Sequence, residues 1–286
     1  TKAGSGHATS ALSAADIMAV LFFHTMHFNP RNYQDPDNDR FILSKGHAAP
    51  ILYAAWHELG ALTQKELLTY REIDSTLEGH PTLRFEYAEA ATGSLGIGLS
   101  IGLGEALCAK LDKRAYRTFV LLGDSEVSEV SVWEAVQLAA FYKANNLIGI
   151  IDCNRLGQST PTMEALEGDE AKRFERMFKA FGWKTLIVDG HDIPALIKTL
   201  DAARAEKEQP VMVIAKTKKG YGVDLFEDKQ GYHGKALEED KLETALNQLK
   251  KRFANAASFK TSEEWVPNLP ERTHQEVILD LDTISM

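Results

Sequence analysis

A chain of 286 residues in which 32 Lys and Arg oppose 41 Asp and Glu carries a net charge of −9, which disfavours nucleic acid or an anionic membrane surface as partner. With 44% hydrophobic residues it can bury the core of one large α/β unit or two smaller ones, which excludes disorder of the chain as a whole. Its two cysteines, Cys108 and Cys153, are too few for a disulfide framework or a zinc cluster and suit a reducing, cytoplasmic setting, and no apolar run is long enough to suggest a membrane span.

The first residues, TKAGSGH, have neither the basic start nor the apolar run of a signal peptide and read as a chain entered part-way through. The apolar residues of 10–26 then recur with a helical period, with Ser10 or Ser13 as candidate caps. A polar, proline-punctuated loop (27–40) leads to a short strand, RFILSKGH (40–47), a helix over 49–60 closed by Gly60, and a second short helix over 63–70. A loop carries GHP (79–81), and 91–110 is a glycine-rich opening into an apolar helix. Strand and helix then alternate: strand 117–124, helix 130–144, strand 147–152, helix 169–182, strand 184–190, helix 193–206, strand 211–217 and a charged amphipathic helix over 237–253. Strands that are apolar throughout predict a sheet covered on both faces, hence a three-layer, doubly wound, mainly parallel α/β fold. The polar stretch 254–275 reads as a linker, and the short apolar tail over 277–286 as part of an element completed elsewhere.

Ligands in such folds bind beyond the carboxyl ends of the strands. Asp124 and Asn154 each follow an apolar strand, with one helix between the strands. If those strands are neighbours, the two side chains enter one crevice and offer hard oxygen ligands for Mg²⁺ or Ca²⁺, with phosphate oxygens and water completing the shell. The plainer alternative is that both residues simply turn the chain. The run Gly93-Ser94-Leu95-Gly96-Ile97-Gly98 either brings backbone N–H groups to an anion at a helix start or serves close helix packing, since Gly102 and Gly104 continue the series. His7, His47, His80 and His233 each adjoin a glycine, which lets backbone crowd a ligand beside an imidazole able to donate, accept or shuttle a proton. Polar substrate binding is expected of them rather than zinc, because neither HExxH nor paired CxxC spacing is present. Lys219 ends a cationic stretch after a strand and faces either phosphate or solvent, and Glu126 and Glu129 are either solvent charges or functional acids. His191 also follows a strand and is open to either role.

Taken in order, KAGSGHATS (2–10), FILSKGHAAPILYA (41–54), EGHP (78–81), ATGSLGIGL (91–99), LLGDSEVSEVSVWEA (121–135), IIDCNRLGQS (150–159), FGWKTLIVDGH (181–191) and AKTKKGYGV followed by YHGKAL (215–237) resemble the N-terminal, diphosphate-binding domain of transketolases, with wording closest to the animal-type branch. The resemblance implies a thiamine diphosphate enzyme that moves a two-carbon ketol unit from a ketose phosphate to an aldose phosphate. It implies Asp124, Asn154 and the backbone carbonyl of Leu156 as ligands of Mg²⁺ (or Ca²⁺). Ser10, His47, Gly93, Leu95, Gly123 and Lys219 are then expected beside the cofactor, and His7, His80 and His233, together with His47, around the reacting carbons and hydroxyls. Glu129 resembles the acid near the dimer interface that communicates with the cofactor-activating glutamate.

Residues 1–253 are thus expected to form the diphosphate- and metal-binding domain, and 254–286 a linker toward a pyrimidine-binding domain that a partner chain or further sequence supplies, in a dimer or heterotetramer. Two positions depart from the family pattern. Ser125 stands where a glycine follows the metal aspartate, and is unstrained only if its φ is negative. Val130 stands where a glycine follows the downstream acid. These departures motivate a rival expectation, a catalytically silent transketolase-like binding or regulatory module; dihydroxyacetone synthase and deoxyxylulose-phosphate synthase are the rivals among enzymes.

Overall fold

The computed structural model describes residues 1–254 and 266–272. In chain order it contains α1 (Ala8–Ser13), α2 (Ala15–Val20), β1 (Arg40–Leu43), α3 (Ala49–Glu58), α4 (Gln64–Leu67), α5 (Gly98–Leu111), β2 (Thr118–Gly123), α6 (Val130–Phe141), β3 (Leu147–Cys153), α7 (Met163–Leu166), α8 (Glu170–Ala180), β4 (Lys184–Asp189), α9 (Ile193–Arg204), β5 (Val211–Lys216) and α10 (Glu239–Arg252). The five strands form one parallel sheet in the order β1-β2-β3-β5-β4.

Alternate side chains along each strand feed two separate cores, as the two-residue period of a strand requires. Phe119, Leu121, Ile148, Ile150, Val211 and Val213 pack with α2, α3 and α9 on one face. Val120, Leu122, Leu147, Ile151, Met212 and Ile214 pack with α5, α6 and α8 on the other. The result is the expected three-layer, doubly wound α/β architecture. Glycine makes the second face close: a Cβ on Gly102 of α5 would lie 2.4 Å from Val120 Cγ2.

Several local expectations are corrected. The helix read over 10–26 begins at Ala8, is interrupted at Ala14 and ends in a wider turn over Leu21–Thr25. Ser10 and Ser13 cap nothing; both are buried inside the first helix, where Ser13 Oγ bonds the Ser10 carbonyl at 3.3 Å and the Asp152 carboxylate. The strand read over 40–47 stops at Leu43, and Gly46–Ala48 form a single tight turn leading into α3. Cys108 lies exposed on α5 and Cys153 buried at the end of β3, both free. Among the described residues no helix is long and apolar enough to cross a membrane.

Part of the stretch read as a linker lies along the loop before β1. Asn268 pairs with His27, its carbonyl accepting the Phe28 N–H at 2.7 Å, and Arg272 pairs with Asp35 at 2.5 Å. The tail over 277–286 lies outside the described residues.

Candidate functional site at the carboxyl ends of the strands

β2 and β3 are adjacent, with Gly123 opposite Asp152, so the residues that follow them share one crevice. Asp124 is buried; its Oδ1 accepts the Ser125 N–H at 2.7 Å and its Oδ2 the Arg155 N–H at 2.5 Å. Arg155 takes a left-handed backbone (φ 69°), which folds the chain sharply after Asn154. Asn154, also buried, accepts the Leu156 N–H on Oδ1 at 3.2 Å and turns its amide toward Asp152. The Leu156 carbonyl accepts from Lys219 Nζ at 2.7 Å, and the Gly157 carbonyl from the same ammonium at 3.2 Å. Lys219 is therefore no solvent charge: it is 4% exposed and braces the loop that carries Asn154 and Leu156.

The four glycine-adjacent histidines come together. Ring centroids lie 4.8 Å apart for His7 and His233, 5.0 Å for His7 and His47, 5.1 Å for His47 and His233, and 6.3 Å for His7 and His80. Glycine permits this crowding. Gly93 has φ 130°, and a Cβ there would sit 2.7 Å from His80 Cδ2; a Cβ on Gly46 would meet the Gly93 nitrogen at 2.7 Å. His233 Nδ1 lies 2.9 Å from Lys219 Nζ. An ammonium can only donate, so Nδ1 is the acceptor and the imidazole proton sits on Nε2, away from the lysine. His7 Nδ1 is buried without a partner.

Burial dominates the electrostatics. It pushes His7 and His233 down to about 4 and His80 and His47 downward as well, with Lys45 adding to the effect at His47 and Lys219 at His233. All four rings are neutral near pH 7. Burial, reinforced by the carboxylates of Glu170 and Asp152, pushes Asp124 up to about 7. Burial and the Lys45 charge lower Lys219 to about 8.

The glycine-rich run does not offer all its N–H groups to a ligand. The Gly96 N–H donates to Glu126 Oε1 at 2.9 Å, while Glu126 also accepts from Ser44 Oγ and from the Gly123 N–H at 3.0 Å. Helix α5 starts only at Gly98, and Gly98 and Gly102 serve close packing against Ser44 and Val120. Leu95 stays partly exposed at 37%, and Ser10 lies buried with its carbonyl accepting from Lys45 Nζ at 3.1 Å. Glu126 is a buried strut, whereas Glu129 is exposed just before α6.

Sequence reading missed the roles of Lys45, Asp152 and Glu126. Lys45 and Asp152 form a buried ion pair, and Asp152 also accepts from Ser13 Oγ and Thr217 Oγ1. The one sequence signal of this pair is position, since Lys45 stands two residues past β1 and Asp152 is the penultimate residue of β3. Neither departure strains the site: Ser125 has a negative φ within a turn, and Val130 projects outward, 73% exposed.

A metal needs donors of suitable chemistry, and the crevice has them. Among the described residues no three His, Cys, Asp or Glu side chains converge as a metal cluster. One carboxylate (Asp124), one amide oxygen (Asn154) and one carbonyl (Leu156) do gather there, all hard oxygens. Asp124 is bonded to backbone N–H groups, and burial and the neighbouring carboxylates of Glu170 and Asp152 disfavour its charge, a penalty that a divalent ion beside it would relieve. The residues fit such an ion.

Comparison with known proteins shows the family. The chain is 50% identical over 250 residues to transketolase of Homo sapiens, covering 87% of this chain and 39% of that protein, so it spans about two fifths of such relatives. It is 35% identical to an apulose-4-phosphate transketolase subunit from Phocaeicola vulgatus, covering 88% of this chain and 89% of that relative. A crystal structure of Pichia stipitis transketolase in complex with sedoheptulose-7-phosphate superposes with a TM-score of 0.80 at 32% identity, over 93% of this chain and 40% of that one. The profile described as transketolase, thiamine diphosphate binding domain, matches residues 1–277, and the chain belongs to that family.

Proposed function

We propose that this chain is the diphosphate- and metal-binding half of a transketolase-type transferase that moves a two-carbon ketol unit between sugar phosphates. The observation that carries this reading is the gathering of four neutral histidines next to the crevice that holds Asp124, Asn154 and the Leu156 carbonyl. When bound, thiamine diphosphate supplies the electron sink for breaking and re-forming a carbon–carbon bond beside a carbonyl.

The chain's own residues have distinct tasks. Asp124, Asn154 and the Leu156 carbonyl would hold Mg²⁺ (or Ca²⁺), and with it the diphosphate. Lys219, whose ammonium holds the Leu156 and Gly157 carbonyls, would face the diphosphate anion, and Ser10, Gly93, Leu95, Gly123 and His47 would border the cofactor. His7, His80 and His233, with His47, face the sugar. Being neutral, each ring carries one donor and one acceptor, so it can hold a hydroxyl and pass a proton without placing a fixed charge beside the reacting carbons. His233 presents Nε2–H outward because Lys219 occupies Nδ1.

A partner is part of this reading. The chain spans nearly the whole of a relative that is named as one subunit, which supports a split enzyme completed by a pyrimidine-binding chain as a dimer or heterotetramer, with Glu129 near the seam. The sugar phosphate bound in the Pichia stipitis structure supports ketose and aldose phosphates as substrates. The unstrained Ser125 and the outward Val130 support an active enzyme over the silent transketolase-like module.

The test is calorimetry with thiamine diphosphate and Mg²⁺ on the chain assembled with a matching pyrimidine-domain chain, followed by product analysis with pentose phosphates. Binding that Asp124→Ala abolishes while the fold survives, together with ketol transfer, is the expected result. No cofactor binding by the folded assembly would overturn the enzymatic reading, and cofactor affinity surviving Asp124→Ala would overturn the metal assignment.

A further inference from the structure

His191 lies outside the histidine cluster, two residues past the end of β4, yet it is tied on three sides. Its Nδ1 sits 2.8 Å from Asp16 Oδ2 on α2, and its Nε2 lies 2.9 Å from the backbone nitrogen of Lys218. Its ring stacks on Tyr221 at a centroid separation of 3.5 Å and an interplanar angle of 8°, and the Arg252 guanidinium lies 4.0 Å from the Tyr221 ring centroid. The His191 side chain is only 9% exposed and that of Asp16 only 16%.

The chemistry of these partners settles the proton. A backbone N–H can only donate, so Nε2 of His191 is the acceptor and its proton lies on Nδ1, donated to Asp16. A proton on Nε2 would set two donors face to face. The carboxylate thus holds one tautomer, and that tautomer holds one amide of the segment after β5. The next residue along that segment is Lys219, whose ammonium reaches the Leu156 and Gly157 carbonyls and His233.

We propose that His191 is a positioning residue: through the Asp16–His191–Lys218 amide chain it fixes the backbone from which Lys219 reaches into the site. The consequence for the cofactor rests on the function proposed above; the consequence for Lys219 does not. Asp16 orients the ring, Tyr221 and Arg252 hold its plane, and the imidazole transmits both to the Lys218 amide. This resembles the way an outer carboxylate orients a metal-bound imidazole, here with a backbone amide in place of the metal.

Two variants separate positioning from mere packing, because both lose the ring and its stacking on Tyr221. His191→Gln keeps an acceptor near the place of Nε2, whereas His191→Asn keeps a polar atom near the place of Nδ1 and loses the acceptor. The readout is acylation of Lys219 by an N-hydroxysuccinimide ester in the full chain, mapped by mass spectrometry relative to exposed Lys198. Losing one net hydrogen bond should raise Lys219 labelling about fivefold in His191→Asn, with His191→Gln within about twofold of wild type. Thiamine diphosphate affinity of the assembled enzyme should fall by a similar factor in His191→Asn alone. Equal labelling in both variants, whether raised or unchanged, would overturn the proposal. A wild-type chain that fails to bind cofactor while the labelling difference holds would instead count against the proposed function and leave the positioning role standing.

Discussion

Lys45 and Asp152 form an ion pair removed from water, their side chains 1% and 0% exposed. Lys45 stands two residues past β1 and Asp152 lies in β3, and β2 runs between those strands. The carboxylate also accepts from Ser13 of α1 and Thr217 after β5, and the ammonium donates to the Ser10 carbonyl. One buried pair thus ties together the first helix and the ends of three strands, and it stands directly behind Asn154 and Lys219. Such a pair is weak evidence for net stability, but removing one partner strands the other charge in a dry site.

Asp152→Asn is therefore expected to destabilise the chain by about 3–5 kcal/mol, and Lys45→Met by a similar amount. The double variant Lys45→Met/Asp152→Leu should cost well under the sum of the two, because no orphan charge remains. Urea titrations of the three variants measure this; additive losses would mean that the pair is not coupled. The Lys45 charge and the hydroxyl hydrogen bonds hold Asp152 below the usual carboxylate range despite burial, so its contribution is present above about pH 4 and fades as pH falls through the lower folded value.

Glu126 makes a second prediction. Its carboxylate accepts from the Ser44 hydroxyl and from the amides of Gly96 and Gly123, fastening the glycine-rich run to the ends of β1 and β2. Glu126→Ala would leave these buried donors unmatched, at a cost of about 2–4 kcal/mol. Glu126→Gln keeps one acceptor oxygen but opposes a second donor with an amide, and should fall between. Hydrogen exchange at the Gly96 amide gives the local check: faster exchange in Glu126→Ala than in Glu126→Gln is the expected order.

The histidine cluster makes stability fall in acid. Burial holds His7 and His233 near 4, whereas an unfolded imidazole titrates near 6.5. Between those values the unfolded chain binds more protons than the folded one, so stability is complete above pH 6.5 and drains as pH falls toward 4. Both rings are about half-buried, and solvent screening limits each contribution to about 1 kcal/mol. The pH profile of urea midpoints should flatten in this window for His7→Asn/His233→Asn; an unchanged slope would show that the cluster is not the origin.

Much of this architecture is legible in the sequence, for a definite reason. A strand buried on both faces must be apolar at every position, so Leu147–Cys153 announces itself, and the residue after it stands at a carboxyl edge. Asp124, Asn154 and the glycine-flanked histidines could be singled out on local grounds. The roles of Lys45, Asp152 and Glu126 could not be read there, because their meaning lies in partners far along the chain: Lys45 meets a carboxylate 107 residues away, and Glu126, open to two roles by position, a hydroxyl 82 residues away. The same limit hides the break at Ala14. Ser13 looks like a cap by type, but its hydroxyl is taken by Asp152, and hydrophobic period carries no trace of that pairing. α7 has four residues, too few for any period to register.

The glycines of α5 test how far packing overrides helix propensity. Gly102 and Gly104 both lie in the helix interior, where alanine is intrinsically favoured by roughly 0.8–1 kcal/mol. At Gly104 no atom lies within 4 Å of an added Cβ, so Gly104→Ala should realise most of that gain. At Gly102 the new Cβ would come 2.4 Å from Val120 Cγ2, with Thr118 Cγ2 at 3.4 Å and Leu147 Cδ1 at 3.5 Å behind it. The helix would have to lift from β2, costing about 1–3 kcal/mol and outweighing the propensity. Two substitutions of identical chemistry, two residues apart, are therefore expected to shift the thermal midpoint in opposite directions. Stabilisation by Gly102→Ala would mean that α5 does not sit as close to the sheet as the Val120 contact requires, and with it the glycine-rich entry to the site would be looser than Glu126 makes it.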